Sequence, residues 1–333
     1  MNRTLYITKD GALRRRENTL VIRMPDGTSA FAPIEAIDDI NLMSDAKITT
    51  GLLDLLNSKG IALHVFNAYG RHIGDWLPDQ SRDGRELIAQ AALWLDETLR
   101  HNLAVSFVIG AIENMRQVAR YYQLNGSGFD VSDILRALSD FKDSAWRTRD
   151  VPELLGIEGS ARSSYYRLFD RVIQESVFKM GKRVRRPPNN PMNSLISYLN
   201  CLCYSMTLSQ IRQTRLDPRI SFLHSPSSRR TSLELDLSEI FKPLLVDRLI
   251  FALVNKRMLK AEDFLMAEDG AVLITKEARR TAAQAWDRRM DKTISNPETG
   301  RRVSWRHIVL LEAQKLQRHI LDGAGYEPFR YRW

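Results

Sequence analysis

Residues 86–115, ELIAQAALWLDETLRHNLAVSFVIGAIENM, decide the fold. Apolar residues recur along them at spacings of three and four, the period of a helix that buries one face. Ahead of this stretch the pattern is different. TLYIT (4–8), TLVIRM (19–24) and SAFAPI (29–34) are short runs separated by turn formers such as Asp10-Gly11 and Pro25-Asp26-Gly27, which predicts strands joined as hairpins. A short helix is expected from about Thr49 to Leu56, ending near Gly60, with further strands in IALHVFNA (61–68) and RHIGDWL (71–77). After residue 85 strand signals thin out, and breaks fall near NGSGFD, GIEGS, RRPPNNP, AEDGA and SNPETG. The expected class is α+β: a small β-rich N-terminal domain over 1–77, a polar linker PDQSRDG over 78–84, and a larger all-α domain over 85–333.

The chain of 333 residues is 44% hydrophobic, enough to bury a core. Its 49 Lys and Arg against 40 Asp and Glu leave a net charge of +9, which suits a polyanion such as nucleic acid. Cys201 and Cys203 project about 200° apart on a helix and cannot easily pair. Free thiols fit a reducing compartment, and two cysteines without finger spacing make no zinc module. The start MNRTLYITKDG lacks the apolar run of a signal peptide, and no stretch approaches the ~18 apolar residues of a membrane span. The expectation is a cytoplasmic protein with no membrane partner.

Chemistry concentrates in FLHSPSSRRTSLELDLSE (222–239), which ends on Glu239. Ser232 can cap a helix whose Leu233, Leu237, Ile240, Phe241 and Leu244 share one face. Asp236 and Asp247 fall at the margin of that face, and Glu239 lies one step further round from Asp236 on the same side, the pair reading either as a solvated flank or as candidate ligands. His224 lies just upstream in a loop that can fold back over the first turns, with Arg229 and Arg230 between. His64, His72, His101, His307 and His319 have no comparable acidic neighbourhood and are read as structural. Pro243 costs the helix a hydrogen bond and clashes with the carbonyl of Glu239, so a kink is expected there.

Two more segments bear on the cluster. In NNPMNSLISYLNCLCYSMTLSQI, Asn190 can cap a helix with Pro191 at its first position. Asn193, Ser197, Asn200 and Tyr204 then draw a polar stripe that either binds helices together or stands behind a metal site. In LLGIEGSARSSYYRLFD (154–170), Glu158 sits between two glycines where a helix is expected to begin, followed by Arg162, Tyr165 and Tyr166.

GIEGSARSSYYRLFD, RRPPNNPMNSLISYLN and FLHSPSSRRTSLELDLSEIFKPLLVDRLIF, in this order, resemble the CRISPR-associated endonuclease Cas-one family, the integrase of prokaryotic spacer acquisition. The likeness is strongest over 154–258; the closing GYEPFRYRW is similar too. It implies a β-rich dimerisation domain, a helical catalytic domain and a homodimer acting on double-stranded and branched DNA with a small partner, Cas-two. It also implies Mg²⁺ or Mn²⁺ held by Glu158, His224 and Glu239, with Asp236 at a further acidic position needed for activity. The last ligand is aspartate in some members, so Glu239 is a variant within the pattern. An imidazole among carboxylates tilts the preference toward manganese. Arg162, Arg183, Arg186, Arg230 and Arg248, near these motifs, are the candidate phosphate contacts, and Asn193 and Tyr165 the candidate supports behind the ligands. Two other readings fit the same residues: a general nuclease for branched DNA, and a basic module that binds nucleic acid without cutting it.

Overall fold

The computed structural model describes residues 3–67, 69–78, 84–125, 130–226 and 231–332. The chain divides into two compact units, 1–81 with 274–287, and 82–273 with 288–333.

In the first unit the strands are β1 (Arg3–Ile7), β2 (Gly11–Arg16), β3 (Thr19–Arg23), β4 (Ser29–Pro33), β5 (Ile37–Leu42) and β6 (Ala46–Ile48). Helix α1 (Thr50–Lys59) follows, then β7 (Ala62–Phe66) and β8 (His72–Trp76). They form two four-stranded sheets, ordered β4-β3-β2-β6 and β1-β5-β7-β8. The expected hairpins exist as β2–β3 and β3–β4. TLYIT makes a different partnership. It pairs in parallel with β5, which pairs in parallel with β7. Alternating side chains of both sheets, Leu13, Leu20, Ile40 and Leu63 among them, close with Leu52 and Leu56 of α1 into one core. Gly60 ends α1 at φ 68°, a backbone setting that glycine reaches without steric cost.

The second unit is built on α2 (Gly84–Leu95), α3 (Glu97–Asn125), α4 (Ser132–Ala145), α5 (Val151–Val172), α6 (Pro191–Arg212), α7 (Leu233–Lys242) and α8 (Arg248–Asn255). Its chain continues through β9 (Phe264–Met266) and β10 (Val272–Ile274). Helix α9 (Lys276–Asp291), most of which belongs to the first unit, is followed by β11 (Thr293–Ser295), β12 (Arg302–Ser304) and α10 (Trp305–Asp322) of the second. The breaks at AEDGA and SNPETG are thus the turns of two short ribbons, β9 with β10 and β11 with β12, set into a mainly helical part. Thirteen residues of α3 are buried, and the helix runs through the middle of the unit against α4, α5 and α7.

Between α7 and α8, Pro243–Asp247 winds as a π-helix. The cause is local: Pro243 has no N–H to offer the carbonyl of Glu239, so the ladder widens. Carbonyls there find other donors. Asn114 of α3 gives its amide to Ile240 O and Phe329 O, both at 2.9 Å, and Arg289 donates to Leu244 O. The C-terminal segment docks on the same place, with Phe329 stacked on Phe241 and Pro328 against Gly110, where a Cβ would come within 2.6 Å of the proline ring.

Candidate metal centre

Helix α7 carries the acids. Leu233, Leu237, Ile240, Phe241 and Leu244 are all fully buried, as the wheel predicts. Asp236 and Glu239 are buried with them, at 0% and 6% exposure, so they are no solvated flank. Ser232 precedes the helix, but its hydroxyl bonds Ser221 Oγ (2.7 Å) and Arg219 O (3.2 Å) instead of capping. The cap residue therefore pins the 219–224 segment to the start of α7. Gln90 of α2 holds the same segment through Asp217 and Ile220, and Arg100 of α3 through Phe222 O.

That segment turns over Asp236. Its Oδ2 accepts the N–H groups of Phe222 (2.6 Å) and Leu223 (3.0 Å), and its Oδ1 accepts the N–H of His224 (3.0 Å). The ring Nδ1 of His224 stands 2.8 Å from the same Oδ1. A carboxylate cannot donate, so Nδ1 carries the proton and Nε2 of the neutral ring is left with a lone pair. Burial opposes charging the imidazole, but the bond to Asp236 and the fields of Asp236 and Glu239 outweigh it and raise its pKa.

Glu239 is held by Lys242, one turn on, and both side chains are buried. Lys242 also lies 4.8 Å from the centre of the Tyr204 ring. Burial works to raise the Glu239 pKa; Lys242, then Arg162 and His224, reverse it and keep the group a carboxylate. Glu158 of α5 faces the same charges. Its acid is weakened first by burial and then by repulsion from Glu239, against the pull of Lys242, Arg162 and His224. The structure thus places Glu158, His224 and Glu239 in one electrostatic neighbourhood, from three separate segments. Their donor atoms do not all lie within 4.8 Å of one another, and Glu239 is turned to Lys242. Two mutually repelling carboxylates, one free imidazole nitrogen and oxygen-rich donors are nonetheless the set a divalent cation satisfies.

Several expectations change here. Glu158 is not at the start of a helix. α5 begins at Val151, where Asp150 accepts the N–H of Glu153 at 2.8 Å and Glu153 returns to the N–H of Arg149 at 2.9 Å. Arg162, one turn after Glu158, is 5% exposed and pairs with Asp247 at 3.0 Å, so its guanidinium is spent inside the fold. Arg183 is spent too, on Asn193 Oδ1 (3.1 Å), Ser197 Oγ (3.0 Å) and Val184 O (2.6 Å). Asn193, buried, binds Arg183, Val184, Lys182 and Asn189, and so fastens the 182–190 segment to α6. Tyr165 is buried against Phe169 and the face of Arg162, and its hydroxyl has no hydrogen-bond partner among the described residues. Arg186 is exposed, Arg248 is half-buried over the Tyr121 ring at 4.5 Å, and Arg230 lies outside the described residues.

The sequence reading missed Lys242, and it set Asp247 at the margin of the apolar face without a partner. An acid and a lysine three apart on one helix face is a readable pairing signal, and it was present in Glu239 and Lys242. Asp247 is raised to about 6 by burial in spite of Arg162, and its partner had no local signal, since it is on another helix.

A β-rich part followed by a helical part that buries an imidazole with several carboxylates defines an α+β protein with an acid–imidazole centre. The family described as CRISPR associated protein Cas1 matches residues 5–288. "CRISPR-associated endonuclease Cas1 2" of Thermodesulfovibrio yellowstonii is 38% identical over 334 residues, covering 100% of both chains. A solved CAS1 protein from Thermotoga maritima is 30% identical, with a TM-score of 0.87 and 99% of each chain covered. A casposase bound to integration product shares the fold at 19% identity, with a TM-score of 0.85 over 99% of this chain and 94% of that one. The chain belongs to the CRISPR-associated Cas1 family. Among the described residues no helix is long and apolar enough to cross a membrane.

Proposed function

We propose that the protein is a metal-dependent DNA endonuclease and integrase that inserts short foreign DNA fragments into a CRISPR array by phosphodiester transesterification. The observation that supports this most is the imidazole of His224, held by Asp236 through Nδ1 so that Nε2 is left for a ligand, and in electrostatic reach of Glu158 and Glu239. Glu158, His224 and Glu239 hold Mg²⁺ or Mn²⁺. When bound, such an ion polarises a DNA phosphate and aligns the attacking oxygen, a fragment's 3′-hydroxyl in integration or water in cleavage.

The chain's own groups do the rest. Asp236 fixes the tautomer of His224 and the loop that carries it. Lys242 keeps Glu239 ionised and adds a positive charge beside the reacting phosphate. Arg186 and Arg248, with Arg230, contact the DNA backbone, a sequence-independent and salt-sensitive interaction. The β-rich part serves dimerisation, and the homodimer works with Cas-two on double-stranded and branched DNA.

The test is a strand-transfer assay on a supercoiled array and on branched DNA, with and without Cas-two, in Mg²⁺ and in Mn²⁺. Strand transfer that needs the partner and the metal, and that is lost in a folded, dimeric His224→Ala chain, is the expected result. Wild-type activity in that variant refutes the ligand assignment. Cleavage of branched DNA without any joining supports the general nuclease instead. Salt-dependent binding with no metal effect supports the non-catalytic module.

A further inference from the structure

The β-rich unit contains its own set of metal-binding groups. Strands β7 and β8 run antiparallel, with Leu63 opposite Trp76, His64 opposite Asp75 and Val65 opposite Gly74. The next pair is Phe66 with His72, so Ile73 is one residue too many in β8. In a regular strand His72 and Asp75, three apart, would point to opposite faces. The bulge at Ile73 cancels that difference and sets His72 across from Phe66, on the face that holds His64 and Asp75. Ile73 itself is left 60% exposed. The consequence is a single carboxylate oxygen, Asp75 Oδ1, lying 2.6 Å from His64 Nδ1 and 2.7 Å from His72 Nε2.

The surroundings suit a ligand. Leu63 and Val65, on the other face of β7, pack in the core, whereas the face of His64 is polar and continues through Asn41 and Asp39 of β5 and Thr4 of β1, all buried. Asn41 is in register with His64, and its Oδ1 has no hydrogen-bond partner among the described residues. His64 is fully buried, but the side chains of His72 and Asp75 are 27% and 12% exposed, which leaves a path for an ion.

We propose that His64, His72 and Asp75 form a metal site for a divalent transition ion of the zinc type, clipping edge strand β8 to the sheet. One ligand atom from each residue already lies within 4.8 Å of the other two. Two imidazoles and one carboxylate are zinc ligands that leave a fourth position open, whereas Mg²⁺ and Ca²⁺ prefer an all-oxygen shell. Tetrahedral bonds of about 2.0–2.2 Å hold neighbouring ligand atoms about 3.3 Å apart, so Asp75 Oδ1 needs to draw back from each imidazole nitrogen by only a fraction of an ångström. On binding, His64 carries its proton on Nε2 and His72 on Nδ1, and the ion replaces the two hydrogen bonds to Asp75.

The experiment is a calorimetric titration of the metal-stripped full-length chain with Zn²⁺, in a His224→Ala background that weakens the centre of the helical unit. One equivalent of Zn²⁺ bound by this parent, and weakened at least 100-fold by either His72→Gln or Asp75→Asn, is the expected result. His72→Gln retains a donor toward Asp75, and its melting temperature in chelator is to match the parent's. The parent loaded with Co²⁺ gives an independent reading through the visible bands of a four-coordinate ion. No Zn²⁺ uptake, uptake indifferent to both substitutions, or Co²⁺ bands of a six-coordinate ion alone would each overturn the site and leave a hydrogen-bonded cluster.

Discussion

His224 Nδ1 lies 2.8 Å from Asp236 Oδ1, and the same carboxylate accepts three consecutive backbone N–H groups from Phe222 to His224. One buried acid therefore shapes the loop and orients the ring together. Asp236→Asn keeps the volume but removes the charge and the acceptor capacity of one atom. It is expected to weaken Mn²⁺ binding by about 10–100-fold and to cost about 1–3 kcal/mol of stability through unsatisfied donors. Calorimetric metal titration and thermal melts check both numbers. His224→Gln should weaken the metal with a much smaller loss of stability, because the loop keeps its backbone bonds.

In the proposed centre, Lys242 and the metal compete for Glu239. Lys242→Met leaves a buried carboxylate without its cation, a loss of about 3–5 kcal/mol for a broken buried pair. Added Mn²⁺ replaces the missing charge, so the rise in melting temperature on saturation should be larger in the variant than in the parent. Equal shifts in the two proteins would separate Glu239 from the metal.

Arg162 and Asp247 form a buried pair that spans α5 and the π-wound segment. Either Arg162→Met or Asp247→Asn alone should destabilise by about 3–5 kcal/mol, while Arg162→Met with Asp247→Leu should recover most of it. DNA affinity at low salt, read by fluorescence anisotropy, is expected to fall no more than stability accounts for, since this arginine faces the interior.

Arg171 of α5 grips Asp133 of α4 with both terminal nitrogens, at 2.5 and 2.8 Å, and Arg167 adds a contact at 3.3 Å. The bond to Arg171 holds the Asp133 pKa near 2, below its usual 3.8. A carboxyl whose folded pKa is depressed contributes stability above its unfolded value, and the contribution disappears as pH falls toward the folded one. Both side chains are about a third or more exposed, and screening limits the pair to about 1 kcal/mol. Wild type should melt no more than about 2–4 °C above Asp133→Asn at pH 6, with the gap closing near pH 2 and shrinking in 1 M salt.

The apolar face of α7 was legible because its period is local and every member is buried. The same wheel set Asp236 at the margin, yet its burial comes from the 219–224 segment folding over it, which no helix pattern contains. The start of α5 was readable in Asp150, Pro152 and Glu153, but the glycines around Glu158 drew attention to a false boundary. Arg162 illustrates a different limit: closeness to a motif says nothing about which way a side chain turns, although Ala161, Tyr165, Tyr166 and Phe169 already outlined a buried face around it. In the β-rich unit, Asp38 and Asp39 masked β5, and the parallel pairing of β1 with β5 joins segments too distant for turn signals to link.

The π-wound stretch after Pro243 sets the angular phase of everything beyond it. Eight residues separate Glu239 from Asp247. Ordinary α-winding, about 100° per residue, would leave them about 80° apart around the axis. Five residues at about 80° each bring them back to within about 20°. Glu239 and Asp247 can thereby serve Glu158 and Arg162, which are themselves one turn apart on α5. The alignment of these charges is accordingly a matter of backbone gearing: winding this stretch as ordinary α-helix with every residue kept would preserve every ionisable group in the neighbourhood and still swing Asp247 away from its arginine.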